Sequence, residues 1–262
     1  MDFKEITFSY DNKINRLDNV ASEIKKGEIT TIIGPNGCGK STLLGVLSNN
    51  HLPQKGQVIL DGKKIGEYKP KELAKKLAVV HQENEAPADM TVEGLTTYGR
   101  LPHRSMFSTM TDEDVEAIEW ALTSTNLQDK RNEPINSLSG GEKQRVWIAM
   151  TLAQKTEFLF LDEPTSYLDM YYQYEILELV KQLNVEYGLS IVMVLHDINQ
   201  AIQYSDTIIV MKKGKIVLKG SPEEVISKQM ISDIYGIDVV VKNDKQTGLY
   251  IVPIGIRKNA EN

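Results

Sequence analysis

The sequence has one cysteine, Cys38, among 262 residues. A single thiol excludes an internal disulfide framework and fits a reducing compartment. Proline (9) and glycine (18) are too sparse for a collagen-like or low-complexity chain. With 41% apolar and 25% charged residues the composition is that of a globular protein with a sizeable core, not a disordered one. No apolar run approaches the roughly 18 residues needed to span a bilayer, and the longest, such as 191–195, are strand-sized. The N-terminal MDFKEITFSYD lacks the basic region and apolar block of a signal peptide. Basic charge is also short: 30 Lys and Arg stand against 36 Asp and Glu, a net charge of −6. This balance argues against binding to nucleic acid by bulk charge. There is no internal repeat, heptad run or Pro/Ser-rich linker, and the length lies between one ordinary domain and two.

What is present is an alternation of β and α patterns. Phe3, Ile6 and Phe8 are loosely alternating apolar positions of a strand. Ile29–Ile33 is a β-branched run that stops at Gly34, the pattern of a buried parallel strand entering a glycine loop. Residues 42–47 predict a helix, 57–60 a short strand before the turn Asp61-Gly62, and 77–82 a strand ending at Gln82. From about 86 to 150 the texture is helical. Apolar residues at 115, 118, 121 and 122 predict a helix over 112–123, capped at Thr111 and acid-rich in its first turn. Strands then alternate with helices: strand 158–161, helix 170–186, strand 190–195, helix 197–204, strand 207–211. A turn at 212–215 leads to strand 216–218, and Ser221-Pro-Glu-Glu224 is a capping box. This alternation predicts an α/β domain with a mostly parallel sheet.

Three motifs carry chemistry. Gly34, Pro35, Asn36, Gly37, Cys38, Gly39, Lys40 and Ser41 fit G-x-x-x-x-G-K-[ST], the phosphate-binding P-loop. Its glycines let backbone N–H groups converge on phosphate oxygens, and the helix that follows turns its positive end to the same anion. Lys40 can reach the β and γ phosphates and the Ser41 hydroxyl can bind Mg²⁺. Second, residues 158–161 are four apolar residues followed by Asp162 and Glu163, two acids at a strand end where open α/β sheets bind ligands. Adjacent strand residues face opposite ways, so the two acids are expected to differ in role: Asp162 toward Mg²⁺, Glu163 polarising a water. Third, Leu138-Ser-Gly-Gly-Glu142 opens a helix at Ser139, Gly140 and Gly141, a second anion site that one triphosphate does not need. Alone, this last motif reads as an N-capped helix with a glycine loop.

Together these motifs resemble the ATP-binding subunit of ABC transporters over nearly the whole chain. The P-loop is similar to the family's Walker A motif, 158–163 to Walker B, and Leu138–Glu142 to the signature. The resemblance implies further roles. Gln82 matches the Q-loop glutamine, Asp169 the D-loop, His196 the switch histidine, and Tyr10 the aromatic that stacks on adenine. Without that context Tyr10 reads as strand packing, Gln82 as a strand-end residue and His196 as a helix-start residue. It also implies a P-loop ATPase core, a small antiparallel β part and a helical subdomain at about 86–150, all one domain with a C-terminal extension at about 222–262. The resemblance places Gly34–Thr42, Ser139–Glu142 and Asp169 on ATP, Ser41, Gln82 and Asp162 on Mg²⁺, and Glu163, His196 and Gln82 in catalysis. Glu142 departs from the Gln of many relatives, and Ala21-Ser-Glu-Ile24 is less apolar than this family strand. His81 and Cys38 read as structural, and His103 lacks partner ligands for a metal.

Background positions resemble the importers of iron–siderophore complexes, haem and vitamin B12, the ferric-siderophore branch best: Thr97–His103, Gln144–Met150, Thr165–Asp169 and Val194–Gln200. The implied function is ATP hydrolysis at the cytoplasmic face of the membrane. The implied partners are a second copy, a separate permease and, indirectly, a substrate-binding protein, with no nucleic acid. An exporter cassette, a haem or vitamin B12 importer and a non-transport ABC ATPase remain alternatives. A GTPase would show an Asn-Lys-x-Asp motif, which the sequence lacks.

Overall fold

The computed structural model describes residues 1–11, 13–87, 89–105 and 109–257. Positions 88 and 106–108 of the expected helical insertion and 258–262 of the expected C-terminal extension lie outside the described residues. In chain order the elements are β1 (Asp2–Phe8), β2 (Leu17–Glu23), β3 (Ile29–Ile33), α1 (Lys40–Leu47), β4 (Lys55–Leu60), β5 (Lys63–Lys64), α2 (Pro70–Ala74) and β6 (Leu77–Val80). There follow α3 (Val92–Tyr98), α4 (Asp112–Ser124), α5 (Gly140–Ala153), β7 (Phe158–Asp162), α6 (Met170–Tyr187) and β8 (Ser190–Val194). Last come α7 (Ile198–Tyr204), β9 (Thr207–Lys212), β10 (Lys215–Gly220), α8 (Pro222–Val225), α9 (Lys228–Tyr235), β11 (Ile237–Asp244) and β12 (Gly248–Ile256). Two compact units result: Met1–Gly62 with the chain from Met193 onward, and Lys63–Val192.

In the first unit β1 lies between β2 and β4, antiparallel to both. Phe3 and Ile6 are three apart, which breaks a period of two. The register slips between them, with Glu5 at φ 56°, and both side chains stay buried. The same slippage accounts for the polar run in β2, where Leu17 and Val20 are buried, as is Ile24 just past the strand, and the residues between need not be. All five residues of β3 are buried, and β9 pairs with it in parallel. On its other side β9 pairs antiparallel with β10 through a tight turn at Lys213 and Gly214, both left-handed. β11 and β12 form a hairpin with Val240 opposite Val252. The Asp244 carboxylate closes its turn by accepting from Gln246 N and Thr247 N.

In the second unit β7 lies between its parallel neighbour β6 and the start of β8. Phe158 and Phe160 are fully buried and meet edge to face at 6.5 Å. Each such side chain contributes roughly 1.5–3 kcal/mol of burial. Thr111 and Asp114 form the capping box that starts α4, and Gly188, left-handed at φ 64°, ends α6. The three helices α3, α4 and α5 are tied by one buried cation. Arg100, just past α3, donates to Asp114 Oδ1 on α4 at 2.7 Å and to the Ala153 carbonyl ending α5 at 2.9 Å. Both charged side chains are almost wholly buried. Gly99 precedes it because a Cβ there would lie 2.0 Å from the Met150 carbonyl oxygen.

Candidate functional site

The phosphate loop belongs to the first unit. Gly34, Gly37 and Gly39 all have left-handed φ values, 151°, 73° and 108°. At Gly34 an added Cβ would meet the Met211 carbonyl oxygen at 2.3 Å, and at Gly39 the Arg16 carbonyl oxygen at 2.7 Å. Only glycine lets this loop lie against its two supports. α1 starts at Lys40, two residues before the predicted start, because Gly39 itself turns the chain. The Lys40 side chain is buried, and its Nζ donates to Gly34 O at 2.9 Å and Pro35 O at 3.3 Å. Its charge is thereby held at the centre of the loop. Pro35 O also accepts from Cys38 N at 3.2 Å, while Asn36 and Ser41 stand exposed. Burial pushes the Cys38 thiol above the ordinary cysteine range, against the pull of Lys40, so it packs as a neutral group.

Tyr10, just past β1, is 62% exposed, and its hydroxyl bonds Thr42 Oγ1, in the first turn of α1, at 3.3 Å. His196 follows Leu195, whose N–H joins Ile32 O of β3 at 3.3 Å. It is exposed, at the entry to α7, which Asp197 caps by accepting from Gln200 N at 3.0 Å. The chain from α9 onward braces these groups. Tyr235, the last residue of α9, is pushed well above the ordinary tyrosine range by burial. The Gly34 N–H beside its hydroxyl opposes that shift. Lys212, next to the Met211 that supports Gly34, donates to the Asp233 carbonyl of α9. Asn199 on α7 grips β12 through both amide atoms, at 2.8 Å to Ile251 N and 3.2 Å to Ile251 O.

The carboxylates and the signature belong to the second unit. Asp162 is the last residue of β7. Glu163 lies beyond the strand in a left-handed conformation, φ 51°. Asp162 thus closes the strand, and Glu163 stands one residue beyond it. β6 ends at Val80, so Gln82 sits in the loop after it and not on the predicted strand. From there its Nε2 donates to Glu163 Oε2 at 2.7 Å. Ser166 Oγ donates to the same oxygen at 3.0 Å, a partner the sequence reading missed. Asp169 is exposed at the start of α6, and its carbonyl accepts from Gln173 N at 3.0 Å.

Ser139 caps α5, its Oγ accepting from Glu142 N at 3.4 Å. Glu142 Oε2 accepts from Ser139 N and Oγ, both at 2.8 Å, and Glu142 Oε1 accepts from Lys130 Nζ. The Lys130 ammonium and then these Ser139 donors lower the Glu142 carboxyl to about 2. The carboxylate is committed to the cap and to Lys130. Gly141 is required because a Cβ there would meet the Tyr172 ring at 2.7 Å, and one on Gly140 would touch Leu168 at 3.3 Å. His103 Nε2 bonds the Gln154 carbonyl at 2.8 Å.

The family model described as ABC transporter matches residues 17–166. The petrobactin import ATP-binding protein FpuC of Bacillus anthracis is 49% identical over 224 residues, 86% of this chain and 82% of the relative. The ferric enterobactin transport ATP-binding protein FepC of Escherichia coli (strain K12) is 42% identical over 253 residues, 96% of this chain and 93% of the relative. Among solved structures, the dimeric post-hydrolysis state of the ATP-binding cassette MJ0796 bound to ADP and Pi aligns with a TM-score of 0.71 and 32% identity. It covers 84% of this chain and 98% of that one. The glycine cradle holding Lys40, the Gln82–Glu163 pair and the Ser139-capped helix thus stand in a chain that belongs to the ABC transporter family as one of its ATP-binding subunits.

Proposed function

We propose that this chain is the ATP-hydrolysing subunit of an importer for iron–siderophore complexes. Two copies work against separate permease subunits at the cytoplasmic face of the membrane, supplied by a substrate-binding protein. The observation that carries the hydrolytic reading is Glu163, turned out of β7 and held by Gln82 and Ser166 through one carboxylate oxygen. A carboxylate so oriented suits the general base that takes a proton from the attacking water. Lys40 binds the β and γ phosphates from the centre of its loop, whose N–H groups serve the remaining oxygens. Tyr10 stacks on adenine, and His196 contacts the γ-phosphate side. Ser139, Gly140 and Gly141 serve the nucleotide of the second copy, with Asp169 beside them. Glu142 closes the same turn and holds that cap in shape.

In this reading Mg²⁺ is taken by the Ser41 hydroxyl, the Asp162 carboxylate and the Gln82 amide oxygen, each by its chemistry a hard oxygen donor of the kind that ion prefers. When bound it neutralises charge on the β and γ oxygens. No helix among the described residues is long and apolar enough to cross a membrane, and in this reading the solute path lies in other chains. A cavity of about 390 Å³ beside Gln82, lined also by Asn84, Gln144, Trp147 and Tyr167, suits a permease segment. The two relatives are named for two different siderophores, which supports the class and not one member.

The test has two parts. The purified chain should hydrolyse ATP with Mg²⁺, and Lys40→Ala should not. Cells lacking the chain should lose uptake of radioiron presented on siderophores and keep uptake of haem and vitamin B12. Loss of haem or vitamin B12 uptake alone would move the chain to that branch, and an active Lys40→Ala protein would remove the ATPase reading.

A further inference from the structure

The segment after α1 has no part in the roles assigned so far, yet it is built onto Tyr10. His51 stacks on Phe8 with ring centroids 5.1 Å apart and 14° between planes. Its Nε2 bonds the Tyr10 hydroxyl at 3.3 Å, and the two rings meet edge to face at 5.4 Å. Phe8 meets Tyr10 edge to face as well, at 4.9 Å. Helix α1 is hollowed to admit this imidazole. A Cβ on Gly45 would lie 2.5 Å from His51 Cδ2, so no other residue fits there without displacing the ring. The main chain of His51 is fixed to the same glycine, its N–H joining Gly45 O at 3.0 Å. Three residues on, Gln54 grips Ser9 through both amide atoms, at 2.9 Å to Ser9 N and 2.7 Å to Ser9 O. The residue next to Tyr10 is thereby fixed to the same segment.

We infer that His51 is a positioning residue of the base subsite, holding the Tyr10 ring through its hydroxyl so that the exposed part of the ring meets adenine. This rests on the proposed stacking role of Tyr10. An unbraced tyrosine on a surface turn would lose rotamer freedom each time a base stacked on it. Phe8 and His51 fix the ring beforehand, and Thr42 ties the same hydroxyl to the helix that carries the phosphate loop. Base and triphosphate subsites are therefore set in register through α1.

The test is equilibrium binding of ATP and of inorganic tripolyphosphate, which has no base, to the full-length chain. His51→Phe keeps a ring in the Gly45 hollow and removes the bond to Tyr10. ATP affinity should fall roughly two- to tenfold, the range of one hydrogen bond, with tripolyphosphate affinity and the melting temperature unchanged. Tyr10→Phe should weaken ATP at least as much, and adding His51→Phe to it should cost nothing further, because the bond is already absent. Tyr10→Ala should weaken ATP more than any of these. If Tyr10→Ala weakens ATP and His51→Phe does not, the positioning role is overturned and the stacking role stands. If Tyr10→Ala leaves ATP affinity intact, the stacking role falls and this inference with it. Equal loss of ATP and tripolyphosphate affinity in His51→Phe would also overturn it, showing a damaged phosphate loop.

Discussion

Gln82 and Ser166 donate to the same oxygen of Glu163, Gln82 from the loop after β6 at 2.7 Å and Ser166 from the turn after β7 at 3.0 Å. The orientation of the proposed base is thus set jointly by its own turn and by a residue 81 positions away. Glu163→Gln should bind ATP and lose roughly 10²–10⁴-fold in turnover, since the amide keeps the shape without the basicity. Gln82→Ala should lose solute uptake at least as severely as ATPase activity, because Gln82 also borders the cavity proposed for the permease. Radioiron uptake beside ATPase rates checks both, and full uptake by Gln82→Ala would remove Gln82 from the mechanism.

Ser139→Arg should spare ATP binding to the isolated subunit and block hydrolysis, because the signature is proposed to complete the partner copy's site. Mixed with Lys40→Ala protein it should regain part of the activity. Such mixed pairs hold one composite site intact and one doubly damaged. Loss of ATP binding by Ser139→Arg alone would place the signature in its own subunit's site.

Arg100→Ala should lower stability by about 3–5 kcal/mol, since it leaves Asp114 buried without its cation and the Ala153 carbonyl without a donor. Denaturant unfolding measures this directly. A loss under 1 kcal/mol would show that the three helices do not depend on it.

Glu142 supplies a prediction in pH. Its carboxyl is held at about 2 in the fold, against an ordinary value of 4.5. The stabilisation is complete above the ordinary range and is lost as pH falls through it toward the folded value. Glu142→Gln should therefore be less stable than the wild type by about 1 kcal/mol at neutral pH, with the gap closing in acid. Unfolding curves from pH 7 to pH 3 would show the two converging. A constant gap would mean that charge at this position is irrelevant.

Motifs made of backbone geometry were the most legible in the sequence. Gly34, Gly37 and Gly39 are needed for their dihedral angles, and the capping boxes at Thr111 and Ser221 are local by construction. The edges of elements were less so. β6 stops at Val80, two residues short of the predicted end, and α1 begins at Lys40 because the left-handed Gly39 turns the chain there. Glu163 looked like the end of a strand, since nothing in a run of apolar residues announces a left-handed residue. Thr97–His103 carried the likeness to siderophore importers, yet its Arg100 works inside the helical region. His51, Ser166 and Tyr235 were not legible as site residues. His51 and Tyr235 gain their meaning from groups 41 or more positions away, and Ser166 from a turn whose path the sequence does not reveal.

The bracing of the phosphate loop by β9 and α9 has a consequence for how the subunit is made. Gly34 leaves the ribosome early, and the Met211 carbonyl and Tyr235 that lie against it are synthesised about 180 to 200 residues later, roughly ten to forty seconds at ordinary elongation rates. Until then β3, buried along its whole length in the finished fold, has no β9 to pair with. A nascent chain therefore carries the complete Walker sequence long before it carries a formed nucleotide cradle. Truncated or stalled products that end before α9 should therefore be unable to hold ATP.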